Sequence, residues 1–90
     1  MRRVRLKHPV VEARQVTVDN LDEVAEWMGG SVAGIRLPPA DRAVRFTNRD
    51  HEEHEANVGE WIVRFALADG RRRGMVLIPQ EFEAMFVADR

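Results

Sequence analysis

The sequence predicts a small single α+β domain: an antiparallel, strongly twisted sheet of four to five strands, with enough twist to curl toward a barrel, one main helix against it and a short C-terminal helix. Three observations predict it. Ninety residues with 44% hydrophobic and 32% charged side chains suffice for one core and are too apolar for a disordered chain. One stretch, LDEVAEWMGG, carries apolar residues at helical spacing and ends on glycines. Two pairs of β-rich segments joined by turn signals fill most of the remainder.

The chain opens on MRRVRLKH, residues 1–8, a basic arm carrying Arg2, Arg3, Arg5 and Lys7; residues 9–90 form the domain. PVVEARQVT, residues 9–17, alternates as a strand with Val10, Glu12, Arg14 and Val16 on one face and Val11, Ala13, Gln15 and Thr17 on the other. The face carrying Val11 and Ala13 is expected inward. Asn20 is placed to cap the next helix through its side-chain oxygen, with Glu23 three residues on reaching back as in a capping box. Leu21, Val24, Ala25 and Met28 then make one apolar stripe, and Gly29 and Gly30 supply the left-handed residue that ends it.

Residues 32–37 and RAVRFT, residues 42–47, read as a first hairpin turning through PPADR. GEWIVRFAL and GMVLI, on either side of a turn signal centred on Asp69 and Gly70, read as a second and stronger one. Pro79 can open a short helix because its missing amide would be unpaired there anyway, and Phe82 and Phe86 then share a face. PQEFEAMF is therefore expected to plug one edge of the sheet.

Composition removes several classes of function. Without cysteine there is no disulfide framework, thiolate nucleophile or cysteine-based zinc site. The apolar runs are too short for a signal peptide or a membrane span, so a soluble intracellular protein is the expectation. A net charge of -1 argues against whole-molecule capture of nucleic acid. The charges are nevertheless segregated: basic residues sit in the arm and at Arg71, Arg72 and Arg73, acidic ones at Asp19, Asp22, Glu23 and Glu26 and again at Asp50, Glu52, Glu53 and Glu55.

The sharpest chemical signal is HEEH, residues 51–54. A zincin needs two histidines four apart on a helix so that both rings face one metal. His51 and His54 are three apart, and on a strand that odd spacing sends the rings to opposite faces. The stretch therefore reads as a solvated strand entry or loop, with metal-dependent catalysis through His51 and His54 a distant alternative. Ser31, the only serine, lacks a nucleophile-elbow context, and the Gly29 and Gly30 pair follows a helix instead of preceding one, so no phosphate loop is formed. No catalytic residue, metal or cofactor is assigned. For partner binding the candidates are Trp61, Arg64 and Arg72, expected together on one sheet face, with Arg71 and Arg73 beside them, because tryptophan and arginine anchor interfaces. The basic arm and the turn at Arg71 to Arg73 are the alternative site, for nucleic acid.

Two segments, PVVEARQVTVDNLDEVAEWMGG and ANVGEWIVRFALADGRRRGMVLIPQEFEAMF, resemble a group of small proteins encoded by tailed bacteriophages and prophages. The matching positions are Ala56, Val58, Gly59, Glu60, Trp61, Ile62, Val63, Pro79, Phe82 and Phe86. Val58 stands where a proline is commoner, and Glu60 where aspartate is usual. The resemblance implies a phage or prophage origin and transfers no catalytic residue. Its implication is a non-enzymatic accessory protein that binds a host or phage protein in the cytoplasm of an infected bacterium, with a homodimer as a further expectation and no membrane association.

Overall fold

The computed structural model of the protein describes residues 11–48, 51–66 and 72–85. The basic arm, Asp50, the Asp69 and Gly70 turn, Arg71 and Phe86 lie outside these residues, and of Arg72 only the backbone is described. In chain order the elements are β1 (Val11–Gln15), α1 (Leu21–Met28), β2 (Ser31–Ala33), a single 3-10 turn (Pro39–Asp41), β3 (Ala43–Thr47), β4 (Glu53–Asn57), β5 (Trp61–Ala66), β6 (Arg72–Leu77) and α2 (Pro79–Met85). The α+β class and both helices are as expected. Among the described residues the strands, however, are six and form two antiparallel sheets of three, ordered β1-β5-β6 and β2-β3-β4.

The additional strand is the acidic stretch around HEEH. β4 pairs along β3 with Val44 opposite Ala56 and Phe46 opposite His54, so Ala56 and His54 occupy its inward positions. A half-buried histidine in place of an aliphatic residue hides the alternation from a hydrophobicity pattern. Division into two sheets follows from the turn at residues 57–60. Gly59 takes φ 100°, open only to glycine at low cost, and Glu60 N–H donates to Asn57 O at 2.9 Å. Glu60 also accepts from the Asn57 amide through Oε1 at 2.8 Å, clipping the turn from both ends. β5 is thereby sent to pair with β1 instead of continuing the β2-β3-β4 meander.

The core lies between α1 and the facing sides of the two sheets. Val16, Leu21, Val24, Ala25, Val44, Phe46, Ala56 and Ile62 form it, with Trp27, Met28 and Val76 packed at its margin. Each large aliphatic or aromatic side chain buried here contributes about 1.5–3 kcal/mol. The face carrying Ala13, expected inward, is not the one turned to this cluster, although Val63 opposite Ala13 is fully buried on that other side of the sheet. Cross-strand pairs Arg14 with Ile62 and Glu12 with Arg64 put the Glu12, Arg14, Val16 set on the core side. Its charged members sit at the rim while Val16 is fully buried. Ala13, half-buried, belongs to the opposite face, which α2 partly covers.

Asn20 likewise differs from expectation. Its side chain makes no bond to the helix; Oδ1 accepts from the Thr17 amide at 2.8 Å and Nδ2 donates to Gln15 O at 2.9 Å, closing the turn behind it. Both polar atoms are consumed by that turn, which leaves none for the helix. The other end of α1 is as expected: Gly29, at φ 70°, donates to Glu26 O and Gly30 donates to Ala25 O, the paired bonds of a Schellman ending. A Cβ on Gly30 would lie 2.0 Å from Arg45 O, so the backbone of β3 runs against it.

Two devices join the sheets. Asn48, just beyond β3 and 8% exposed, accepts from Gly74 N at 3.0 Å and donates to Gly74 O at 3.2 Å, so its amide stands in for a neighbouring strand on β6. A Cβ on Gly74 would meet Met28 Cε at 2.5 Å and Phe46 Cε2 at 2.7 Å, so the missing side chain is the space those two fill.

Candidate partner-binding site

Alternation along β5 separates residues expected on one face. Trp61, Val63 and Phe65 point to one face, Ile62 and Arg64 to the other, so Trp61 and Arg64 do not share a surface. The position of Arg72, opposite Ala66, falls on the Arg64 side; Arg73, opposite Phe65, falls on the Trp61 side. The expected trio of Trp61, Arg64 and Arg72 on one face is thus corrected by the period-two geometry of the strand.

Arg64 is turned into the protein. Only 14% of its side chain is exposed; Nη1 donates to Trp27 O at 2.8 Å, Nη2 pairs with Glu12, and the guanidinium carbon lies 4.4 Å from the centre of the Trp27 ring. Arg14 approaches the same ring at 4.8 Å. Trp27 therefore sits among two cations and one carboxylate at the rim of the core. The hydrogen bond from Arg64, opposed by desolvation and aided by the charges of Arg64 and Arg14, holds the Glu12 carboxyl below its ordinary range. Next to this cluster a cleft of roughly 210 Å³ runs between the end of α1 and Asn48. Its prominent polar groups are engaged with one another, Arg64 with Trp27 O and Asn48 with Gly74, so it reads as a seam between elements more than as a receptive pocket.

The opposite face of the β1-β5-β6 sheet has a different character. Trp61 is half-buried and stacks in parallel on Phe82 of α2, ring centres 3.8 Å apart and 4° from coplanar. Phe65 and Met75 are half-buried on the same face, and Arg73 is exposed there. Ile78, just before α2, and Met85, its last residue, are 42% and 57% exposed. Pro79 is the first residue of α2, and Glu81 Oε1 reaches back to accept from the Ile78 amide at 3.1 Å. The GEW and PxxF portions of the phage-like pattern therefore touch through the Trp61 and Phe82 rings. Alpha-helical Phe82, expected only to pair with Phe86, was the partner that the sequence left unmatched to Trp61.

The two histidines are held apart in role. His51 is exposed and has φ 68°, a left-handed conformation ahead of β4. His54 faces inward, its ring stacked on Phe46 with centres 5.4 Å apart. Its Nε2 is buried without a hydrogen bond, and Glu52 Oε1 lies 3.4 Å away, within ion-pair range but outside hydrogen-bond geometry. Among the described residues no group of three or more His, Asp or Glu side chains is gathered to hold a metal. On the outer face of the second sheet Arg45 and Glu55 pair across β3 and β4 at 2.8 Å, and that bond raises the Arg45 pKa. No helix among the described residues is long and apolar enough to cross a membrane. No protein-family model, curated protein or solved structure matches the chain.

Proposed function

We propose that the protein is a non-enzymatic accessory protein of the tailed-phage type that its motif resembles, a protein-binding module whose partner is a host or phage protein met in the cytoplasm of the infected cell. The observation that supports this reading is the Trp61 face. On this face Val63 and Leu77 are buried, Trp61, Phe65, Phe82 and Met75 are half-buried, and Met85 and Ile78 are exposed, with Arg73 on the same side. Apolar and aromatic groups with an arginine at the margin are the composition of an interface centre.

The test is capture of a partner from infected-cell lysate by the full chain, compared with Met85→Asp and Arg73→Glu, both at exposed positions. Loss of one discrete protein in both variants, each still unfolding cooperatively, is the expected result. Equal capture by all three proteins overturns the assignment of this face. Retention on DNA or RNA that falls steeply with salt and with Arg73→Glu would favour the nucleic-acid alternative instead.

A further inference from the structure

The β1-β5-β6 sheet has two edges, and they are treated differently. In the β1 and β5 pairing, Val16 N–H donates to Glu60 O, so by two-residue periodicity Arg14 and Glu12 also turn their backbone groups toward β5. Arg64, opposite Glu12, then faces β1, and Gly74, opposite Arg64, faces away from the sheet, where the Asn48 amide meets it. The β6 edge is covered there. On β1 the outward groups are those of Val11, Ala13 and Gln15. Among the described residues only one of them has a partner, the Gln15 carbonyl, which accepts from Asn20 Nδ2.

We propose that a second copy of this chain pairs along this edge, β1 against β1, antiparallel about a twofold axis through Ala13, joining two three-stranded sheets into one of six strands. The sequence of the strand, VEARQ, selects that occupant. Centring on Ala13 sets Ala13 opposite its own copy as a hydrogen-bonded pair, the parity its outward amide and carbonyl require. Glu12 then falls opposite Arg14 of the second copy, and Arg14 opposite the second Glu12. Each Glu12 lies in a row between its own Arg64 and the facing Arg14, an alternation of charge across three strands. Arg14, which has the Trp27 ring but no ion pair among the described residues, gains one. A shift of one residue would turn the charged and apolar faces over, so the register is specified.

The strand also lacks the usual protection of an edge. It carries no proline, lysine or glycine bulge, and its charges are arranged to attract their own copy instead of repelling it. The helix α1 packs chiefly on β2 and β3 and meets β1 through the Trp27 ring over Arg14, on the face of the sheet and not along its hydrogen-bonding edge. An interface built on five residues from each copy is below the size of standard stable complexes, so association depends on concentration. This pairing is independent of the Trp61 face.

Sedimentation equilibrium of the full chain from micromolar to millimolar concentration reads the association. Arg14→Glu, which sets two glutamates opposite two others, is expected to weaken it by about tenfold or more, and Ala13→Pro, which removes an outward donor and no bond to β5, to abolish it. Because a strand variant can also misfold, Ala13→Cys supplies the second reading. The chain has no other cysteine, and hydrogen-bonded partners lie about 5.5 Å apart at Cα, within reach of a disulfide. Oxidation should cross-link Ala13→Cys faster than Val18→Cys, at an exposed site off the strand. A monomer throughout, or a dimer indifferent to Arg14→Glu and cross-linked no faster at 13 than at 18, overturns the proposal. Met85→Asp should leave the dimer intact, which separates this edge from the partner face.

Discussion

Replacing Asn48 with alanine tests what holds the two sheets together. Asn48 is 8% exposed and both ends of its amide meet Gly74, at 3.0 and 3.2 Å. Truncation removes both bonds and leaves the Gly74 amide and carbonyl, in a buried residue, with nothing to replace them. An orphaned buried polar group costs about 1–3 kcal/mol, so the two together should cost roughly 2–6 kcal/mol. A domain of this size is stable by about 5–13 kcal/mol in all, so the loss is a large fraction. It corresponds to a fall in Tm of about 10 °C or more. Asn48→Asp gives a sharper signature, because it keeps the acceptor for Gly74 N–H but turns a carboxylate oxygen toward Gly74 O. The folded-state pKa of that Asp is raised, so the protonated form is favoured and the deficit should shrink as pH falls. Urea unfolding followed by tryptophan fluorescence measures both. A cost within about 0.5 kcal/mol for Asn48→Ala, the range of ordinary surface changes, would refute the bridge.

Other perturbations address other parts of the molecule. Gly30→Ala should destabilise by about 2 kcal/mol or more in the same urea assay, since its Cβ would lie 2.0 Å from Arg45 O and the obstacle is backbone. A double-mutant cycle on Trp61→Ala and Phe82→Ala should return a coupling of about 0.5–1.5 kcal/mol for the stacked rings, and additivity would mean they do not interact. His51→Gly should stabilise by roughly 0.5–1 kcal/mol in thermal unfolding, because glycine accepts φ 68° without a Cβ clash. Glu12 has a folded pKa depressed below the ordinary 4.5, so its contribution is present above that pH and is lost as pH falls through the folded value. The stability difference between wild type and Glu12→Gln should therefore close in acid, and a pH-independent difference would contradict it.

The legible parts of this fold were those governed by local chemistry. Gly29 ends α1 in the left-handed region and Pro79 begins α2, because each position asks for a property that one residue type supplies. The second hairpin was legible from GEWIVRFAL and GMVLI for the same reason. β4 was not, because its inward places are taken by Ala56 and by His54, and no hydrophobic pattern weights a histidine stacked on phenylalanine as core. Asn20 reads as a cap in the sequence because a capping side chain and a turn-closing side chain look alike until the turn is known. Of the partner-binding candidates, the separation of Trp61 from Arg64 was implicit in their odd spacing once β5 was recognised. The burial of Arg64 was not, since it depends on Trp27, which approaches from a helix 37 positions earlier.

The connection order of the sheets bears on how the chain folds. The β2-β3-β4 sheet is a meander of successive strands, whereas β1 must wait for β5, as in the pairing of Val11 with Phe65. Closing that long intervening chain costs more entropy than any hairpin in the molecule and brings no pairing bond until it is complete. Docking of β1 is thus the step expected to limit the rate. Until it occurs, the β5 flank of the β5-β6 hairpin is an unsatisfied ladder in a newly made chain, and the time spent in that state sets the exposure to misassembly.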